Sequence, residues 1–426
     1  MAEVKIEALS GWDSSRPRRN IAMKVSYVGA TYGGFSLQPH DDNTVEYHLF
    51  KALRRTRLMN MVELSGYCRA GRTDRGVSAA GNVISLFLRT NQDPAREFGG
   101  KAPSEDAMPS VSPNAVLDQE EARAANHTVD ETEDVKELDY ANMLNNVLPA
   151  DIRVKQWAPV PVTFNARFCA TWREYRYYFL PGNLDHGEMA QAAKYFEGYH
   201  DFTAFCKMDV THVHNFYRKV LETEIVTAPQ LQVDGLASQP KDGAGLTPQS
   251  SQSYFRVRGH AFLWHQVRAM AAVLFTVGQG LEEPEVVQRM LARDPGFDRK
   301  PNYALADDLP LCLMDVGFDS PVMWRASPEC QSKLRAQVLK LHSDFATQAS
   351  VTAAIVEDVT GEPVQTKPWF HPALFPMKNG KLVYVSDGDK KYVPLSKRQG
   401  EPTYGERIKA LEARKRKAGE MEPEED

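Results

Sequence analysis

Apolar and polar residues alternate in six short runs, Ile21 to Val28, Val83 to Arg89, Ile152 to Trp157, Trp172 to Leu180, Val220 to Val226 and Tyr254 to Arg258. A period of two predicts strands there. Between the runs the period lengthens. Val45, Leu49 and Leu53 share one helical face, with Asn43 and Glu46 making a capping-box-like entry and Arg54, Arg55 and Arg57 closing the segment. Met189, Ala193 and Phe196 mark a second helix stopped at Gly198, and Pro284 stands at a first-turn position for a third. Ala261 to Val277 is apolar nearly all round, which predicts a buried helix, yet it carries Arg268 in its middle. Strands with helices interposed predict an α+β fold with a largely antiparallel sheet.

Two stretches break the pattern. From about Asn91 to Glu137 the chain is rich in Ala, Pro, Ser, Asp and Glu and reads as a mobile acidic insertion. Pro229 to Gln252, built from Gly, Ser, Pro and Gln, reads as a long loop between two strands. From Glu406 helix formers alternate with charges, predicting a short helix that frays into an acidic end. No internal repeat is visible. The division that follows is an arm over 1–19, one subdomain over 20–160 with the acidic insertion 91–137, a second over 161–320 with the insertion 229–252, an extension over 321–405 and a charged tail over 406–426.

Of the 426 residues 42% are hydrophobic and 25% charged, enough for one large core or two ordinary ones, which excludes whole-chain disorder. The most apolar stretch, 261–277, is interrupted by His265, Gln266 and Arg268 and falls short of the roughly 20 apolar residues of a membrane span. A soluble protein without a membrane partner is expected. Glu3, Glu7 and Asp13, with no apolar run beside them, argue against a secretory signal. Cys68, Cys169, Cys206, Cys312 and Cys330 form no CxxC pair, so neither a disulfide framework nor a cysteine zinc site is suggested, and a reducing compartment is the simplest home. The net charge of minus 5 is unevenly spread. Asp93 to Glu137 holds twelve acidic residues against four basic, the tail from Glu420 adds five acids, and the remainder carries plus 8. Such a basic body admits a polyanionic partner without requiring one.

Candidate chemistry lies where the pattern contradicts itself. A buried Arg268 cannot lose its proton and calls for a carboxylate, unless it is a structural ion pair or reaches the surface. Asp74 lies in AGRTDRGVSAAG, from Ala70 to Gly81, between Arg72 and Arg75. A loop carboxylate among arginines is expected to be ionised and to suit a nucleophile or electrostatic stabiliser, although an aspartate near glycine is ordinarily a turn residue. In the strand WREYRYYFL, Arg173, Tyr175, Tyr177 and Phe179 share one face and Trp172, Glu174, Arg176 and Tyr178 the other. That mixture suits base stacking and phosphate pairing, and equally an ordinary sheet surface. His212 and His214, with His200 nearby, lack a cysteine or carboxylate set, so no metal is expected.

The segment AGRTDRGVSA resembles the signature of the TruA-type tRNA pseudouridine synthases. Five further motifs follow the family order: SYVGATYGGFSLQ at 26–38, FNARFCATWREYRYYF at 164–179, GYHDFTAFCK at 198–207, FLWHQVRAM at 262–270 and LPLCLMDVGF at 309–318. NTVE at 43–46, FCKMD at 205–209, GQG at 278–280 and, less specifically, PLSKRQGEPTYGERIKAL resemble the eukaryotic branch that modifies uridines 38 and 39 of the anticodon arm. The resemblance implies two α/β subdomains with mostly antiparallel sheets flanking a central cleft. It assigns Asp74 as catalytic aspartate, Tyr175 as the active-site tyrosine and Arg268 as the arginine paired with the aspartate. Arg72 supports extrusion of the target base, and Arg75, Arg167, Arg173 and His265 complete the residues assigned to RNA contact. Arg75 stands where lysine is frequent, and Cys68 to Ala70 differ from the usual residues. The implied partner is tRNA, with a homodimer left open, without cofactor, in the nucleus, the cytoplasm or both. Other tRNA or mRNA uridines stay open as targets. So do an inactive RNA-binding chaperone on the same scaffold and a carboxylate-dependent hydrolase, for which no second carboxylate suggests itself.

Overall fold

The computed structural model describes residues 9–92, 136–179, 184–227, 253–361, 377–378, 381–382 and 392–417. In chain order the first elements are β1 (Arg18–Tyr27), α1 (Val45–Arg55), β2 (Cys68–Arg69), β3 (Ser78–Arg89), α2 (Tyr140–Asn145), β4 (Ile152–Pro159) and β5 (Ala170–Phe179). Then follow α3 (His186–Lys194), β6 (Gly198–Asp201), β7 (Tyr217–Thr227), β8 (Ser253–Gly259), α4 (Gln266–Gly278), α5 (Glu285–Ala292) and β9 (Leu311–Phe318). The last are α6 (Pro328–Thr360), β10 (Met377–Lys378), β11 (Lys381–Leu382) and α7 (Tyr404–Lys417). All six strands expected from alternation are present. The pairing is antiparallel for β1 with β3 and β4, β2 with β3, β6 with β7 and β7 with β8, and parallel for β3 with β9.

The chain forms two units, Met1–Arg173 with Cys312–Glu362, and Glu174–Leu311 with Pro363–Asp426. In the first, β1 lies between β3 and β4, and its residues Ile21, Met23 and Val25 are fully buried. Helix α1 adds Val45, Leu49 and Leu53 to that core, as its periodicity requires. Its cap is Thr44, whose hydroxyl accepts from Tyr47 N at 3.3 Å, rather than Asn43, whose side chain donates to Thr31 O. Glu46 closes no capping box. Only 2% exposed, its carboxylate accepts from Leu37 N, Tyr67 Oη and Arg69 Nη1 at 2.8, 2.8 and 2.6 Å. Ser327 caps α6 through Cys330 N and donates to Asp139, the cap of α2, so one hydroxyl ties two helix starts together.

In the second unit β5, from Glu174 on, β8, β7 and β6 are neighbours in that order. Phe275 of α4 lies against Tyr177 and Phe179, with ring centroids 5.7 and 5.3 Å apart, and Phe196, Phe202 and Phe205 fill the adjoining core. The apolar helix expected over 261–277 begins only at Gln266. His265 holds a left-handed φ of 62°, which no α-helix continues, while Gln266 Oε1 turns back to accept from Leu263 N at 2.8 Å. Strands β7 and β8 pair up to Thr227 and Ser253, flanking the insertion 229–252, which lies outside the described residues. The segment from Tyr392 to Glu406 is docked in this unit. Arg299 pairs with Glu406 through two contacts of 2.7 Å, Lys300 with Glu401 at 2.8 Å, and Tyr392 Oη donates to Glu282 at 2.7 Å.

The acidic insertion needs one correction at its edge. Residues 93–135 lie outside the described ones, but Glu137 belongs to the fold: it pairs with Arg19 at 2.8 Å, both side chains under a tenth exposed, and accepts from Thr90 Oγ1 at 2.6 Å and Asn91 N at 3.2 Å. Burial alone would raise its carboxyl, but the hydrogen bonds from Thr90, Leu138, Asn91 and Arg19 outweigh it and hold the group below the usual range. A depressed folded value stabilises above the unfolded carboxylate value and the contribution is lost as pH falls through the folded one. Glu137→Gln, which takes this carboxylate away from the buried Arg19, is expected to cost roughly 3 kcal/mol at neutral pH. Its deficit against wild type should narrow in acid, as read by denaturant melts at pH 7 and pH 3.5; a deficit independent of pH would refute the pairing. Deleting 95–133 should leave the melt unchanged.

Candidate active site

The loop between β2 and β3 carries Asp74, half-buried, at the head of a turn closed by Val77 N to Asp74 O at 3.2 Å. Its approach is held by Asn82, a fully buried amide in the apolar run of β3. Asn82 Nδ2 donates to Gly71 O at 3.0 Å, and its Oδ1 accepts from Gly71 N at 3.2 Å and Val83 N at 2.9 Å. Tyr27 Oη lies 2.7 Å from Thr73 Oγ1, and Phe35 N donates to Thr73 O at 3.1 Å. Gly34 runs past the same peptide with φ 122°, where a Cβ would stand 3.2 Å from Thr73 O. All these holding groups are uncharged, so the formal charges flanking Asp74 in the loop are those of Arg72 and Arg75.

The arginines around the loop divide by employment. Arg69 is bound to the buried Glu46. Arg72 and Arg75 reach solvent without an ion pair or side-chain hydrogen bond among the described residues, and partial desolvation, with the charges of Arg69 and Arg167, lowers the pKa of Arg72. Arg167 is exposed, its guanidinium carbon 5.2 Å from the Phe168 ring centroid. Arg173, assigned to RNA contact, has another use: Nε and Nη2 donate to Ala70 O at 3.2 and 3.0 Å, Nη2 also to Arg167 O at 3.1 Å, and Nη1 to Ala170 O at 3.2 Å. It clasps backbone.

In the second unit Tyr175 is half-buried with Phe262 edge-on at 5.2 Å. Arg268, its side chain 14% exposed, donates from Nε to Ala306 O at 2.7 Å and holds Nη1 4.0 Å from the Asp308 carboxylate. The charge expected to be buried on α4 therefore has a carbonyl and a distant carboxylate inside its own unit. Burial, with Arg268, Lys207 and Lys300 around it, pushes His265 down to about 3, so at neutral pH it is a neutral imidazole, not a cation for phosphate. Along β5 the core claims Tyr177 and Phe179, while Glu174 on the other face bonds Arg258 at 2.7 Å, which is ordinary sheet chemistry. His200, His212 and His214 bond separately to Glu197 O, Asp209 and Tyr404.

Tyr27 and Asn82 were not singled out by sequence reasoning, and Glu46 was read only as part of a capping box. The signal was present in part, since Asn82 stands in the largely apolar run of β3. Their partners are far along the chain, which no periodicity reports.

Residues 192–319 match a family model described as tRNA pseudouridine synthase. The chain is 37% identical over 352 residues to the human "tRNA pseudouridine(38/39) synthase", covering 82% of this chain and 66% of that protein. It is 38% identical to the protein of that name from Mus musculus, covering 81% and 64%, and 36% identical to that from Bos taurus, covering 83% and 67%. With its mixed α+β build, its mostly antiparallel strands and the aspartate loop described above, the chain belongs to the TruA-type pseudouridine synthase family. It spans about two thirds of the length of these mammalian relatives.

The clasp role of Arg173 separates cleanly from a phosphate contact. Arg173→Met should lower stability by about 2 kcal/mol, the scale of losing charged hydrogen bonds to carbonyls. It should leave the dependence of tRNA affinity on salt as in wild type. A salt slope reduced by about one, the signature of a lost phosphate contact, would reject the clasp.

Proposed function

We propose that this chain is an RNA pseudouridine synthase acting on tRNA, with uridines 38 and 39 of the anticodon arm as its targets. The observation that carries the reading is Asp74, placed by a buried uncharged frame between two arginines that have no ion pair among the described residues, in the loop that carries the resemblance to the family. The names of the mammalian relatives support the choice of positions. The reaction detaches uracil from C1′, turns it and rejoins it through C5, so it consumes no electron and no phosphate. Asp74 in this proposal attacks C1′ or C6, or takes a sugar proton on the way to a glycal. Tyr175 stacks on the uracil and Arg268 balances the aspartate. Arg72 supports the base outside its stack, whose disruption costs a few kcal/mol that other RNA contacts offset.

The proposed compartments are the nucleus and the cytoplasm, and the exposed Arg414, Lys415 and Arg416 of α7 are the residues to replace in a localisation test. Turnover is tested on transcribed tRNA labelled in uridine by tritium release. Asp74→Asn is expected to give no product while tRNA affinity stays within about threefold of wild type, because phosphate contacts supply most of it. Substantial turnover by that variant would sink the assignment. A wild-type protein that binds tRNA without turnover would favour the chaperone reading.

We also propose that the enzyme is a homodimer. In α6 the residues Leu334, Val338, Leu341 and Phe345, and again Ile355 and Val359, share one four-and-three register that Gln348 and Thr352 interrupt, and Phe345 is 49% exposed. Val at one seam position with Leu at the other suits a two-stranded seam, and a second copy presents the same stripe. Phe345→Glu combined with Ile355→Glu is expected to convert a dimer to a folded monomer in light scattering. A wild-type monomer would dismiss the seam.

A further inference from the structure

Phe168 is a large apolar ring left 54% exposed in the first unit. Single exposed apolar residues are common, so exposure alone says little. Its loop, however, is tightly built. Asn165 Oδ1 accepts from Arg167 N at 3.0 Å and Phe168 N at 3.2 Å, Cys169 N donates to Asn165 O at 2.9 Å, and Ala166 N donates to Ser85 Oγ at 3.0 Å. Asn20 Nδ2 holds Phe164 O at 2.9 Å from β1. The ring is thus presented by ordered backbone.

The loop stands beside the aspartate loop. Cys68 Sγ meets Asn165 Oδ1 at 2.9 Å, and the Arg173 guanidinium holds the carbonyls of Ala70 and Arg167 together, two residues before Arg72. Arg72 and Arg167 have no ion pair among the described residues, although the chain holds more acidic than basic residues. The Arg167 guanidinium lies over the Phe168 ring at 5.2 Å. A fixed aromatic plane with two unneutralised guanidiniums matches a nucleotide, whose base offers a face for stacking and whose phosphate accepts forked hydrogen bonds. A protein partner would call for a wider apolar patch around Phe168.

We propose that Phe168, Arg167 and Arg72 form a subsite for one unpaired nucleotide next to the target uridine, its base on the Phe168 ring and its phosphate on the two guanidiniums. The inference rests on the reading of the chain as an enzyme acting on RNA. Stacking tolerates every base, so this subsite selects an unstacked nucleotide rather than a sequence.

The test is binding of a fluorescein-labelled anticodon stem-loop to the full chain across a salt series, with tritium release measured in parallel. Phe168→Ala and Phe168→Leu should weaken binding roughly tenfold or more, and Phe168→Trp should restore it, because stacking contributes about 1–3 kcal/mol per base. The salt slope of the Phe168 variants should equal that of wild type, whereas Arg167→Gln should reduce it by about one. Their melting curves should coincide with wild type, since the ring leaves no core. Wild-type affinity in Phe168→Ala, or equal affinities for the Leu and Trp variants, overturns the subsite. Wild-type protein that binds the stem-loop without turnover overturns the enzymatic reading and leaves the subsite standing.

Discussion

The buried amide of Asn82 is the constraint on which the aspartate loop depends. A loop that must present a carboxylate between two arginines gains nothing from being held by further charges, which would alter the field it exists to create. Asn82 instead satisfies both backbone groups of Gly71 and one of its own strand, from a position with no access to water. An amide so placed is costly to leave half-bonded, so the loop and β3 are specified together. Tyr27 acts likewise two residues further on, at Thr73, and Gly34 lets the chain pass close enough to close the frame.

Once the loop is fixed by neutral groups, the arginines near it can be sorted by what they touch. Arg69 serves the buried Glu46, Arg173 serves three carbonyls, and Arg72, Arg75 and Arg167 are left to solvent. The structural arginines thus consume the local acceptors. The remaining three keep their charge without a counterion on the described surface, and that residue of positive charge gives the basic body a focus despite a net charge of minus 5.

The second unit solves a different problem, a cation on a helix that is otherwise buried. Arg268 donates to the carbonyl of Ala306, with Asp308 at the limit of an ion pair. The neighbouring His265 bears the consequence, since charges on Arg268, Lys207 and Lys300 add to burial in keeping its ring neutral. The docked segment from Tyr392 to Glu406 draws Arg299 and Lys300 into ion pairs, with the Lys300 side chain largely buried and Arg299 still exposed.

Six of the strands, the buried apolar helix with its one misplaced cation and the family were legible in the sequence, because each is written in local periodicity or short ordered motifs. It also placed Asp74 in its loop, since glycine and flanking charge are local. It did not reveal β6, β9 or α6, whose patterns are too short or too polar to stand out. Long-range packing settled that Glu46 is a core anion rather than a capping residue, that Glu137 is an anchor rather than the end of the acidic insertion, and that Arg173 is a clasp while Arg167 is exposed. These residues are chemically alike in the sequence. Their roles are set by partners 23, 118 and 103 positions away, for which the local pattern carries no record.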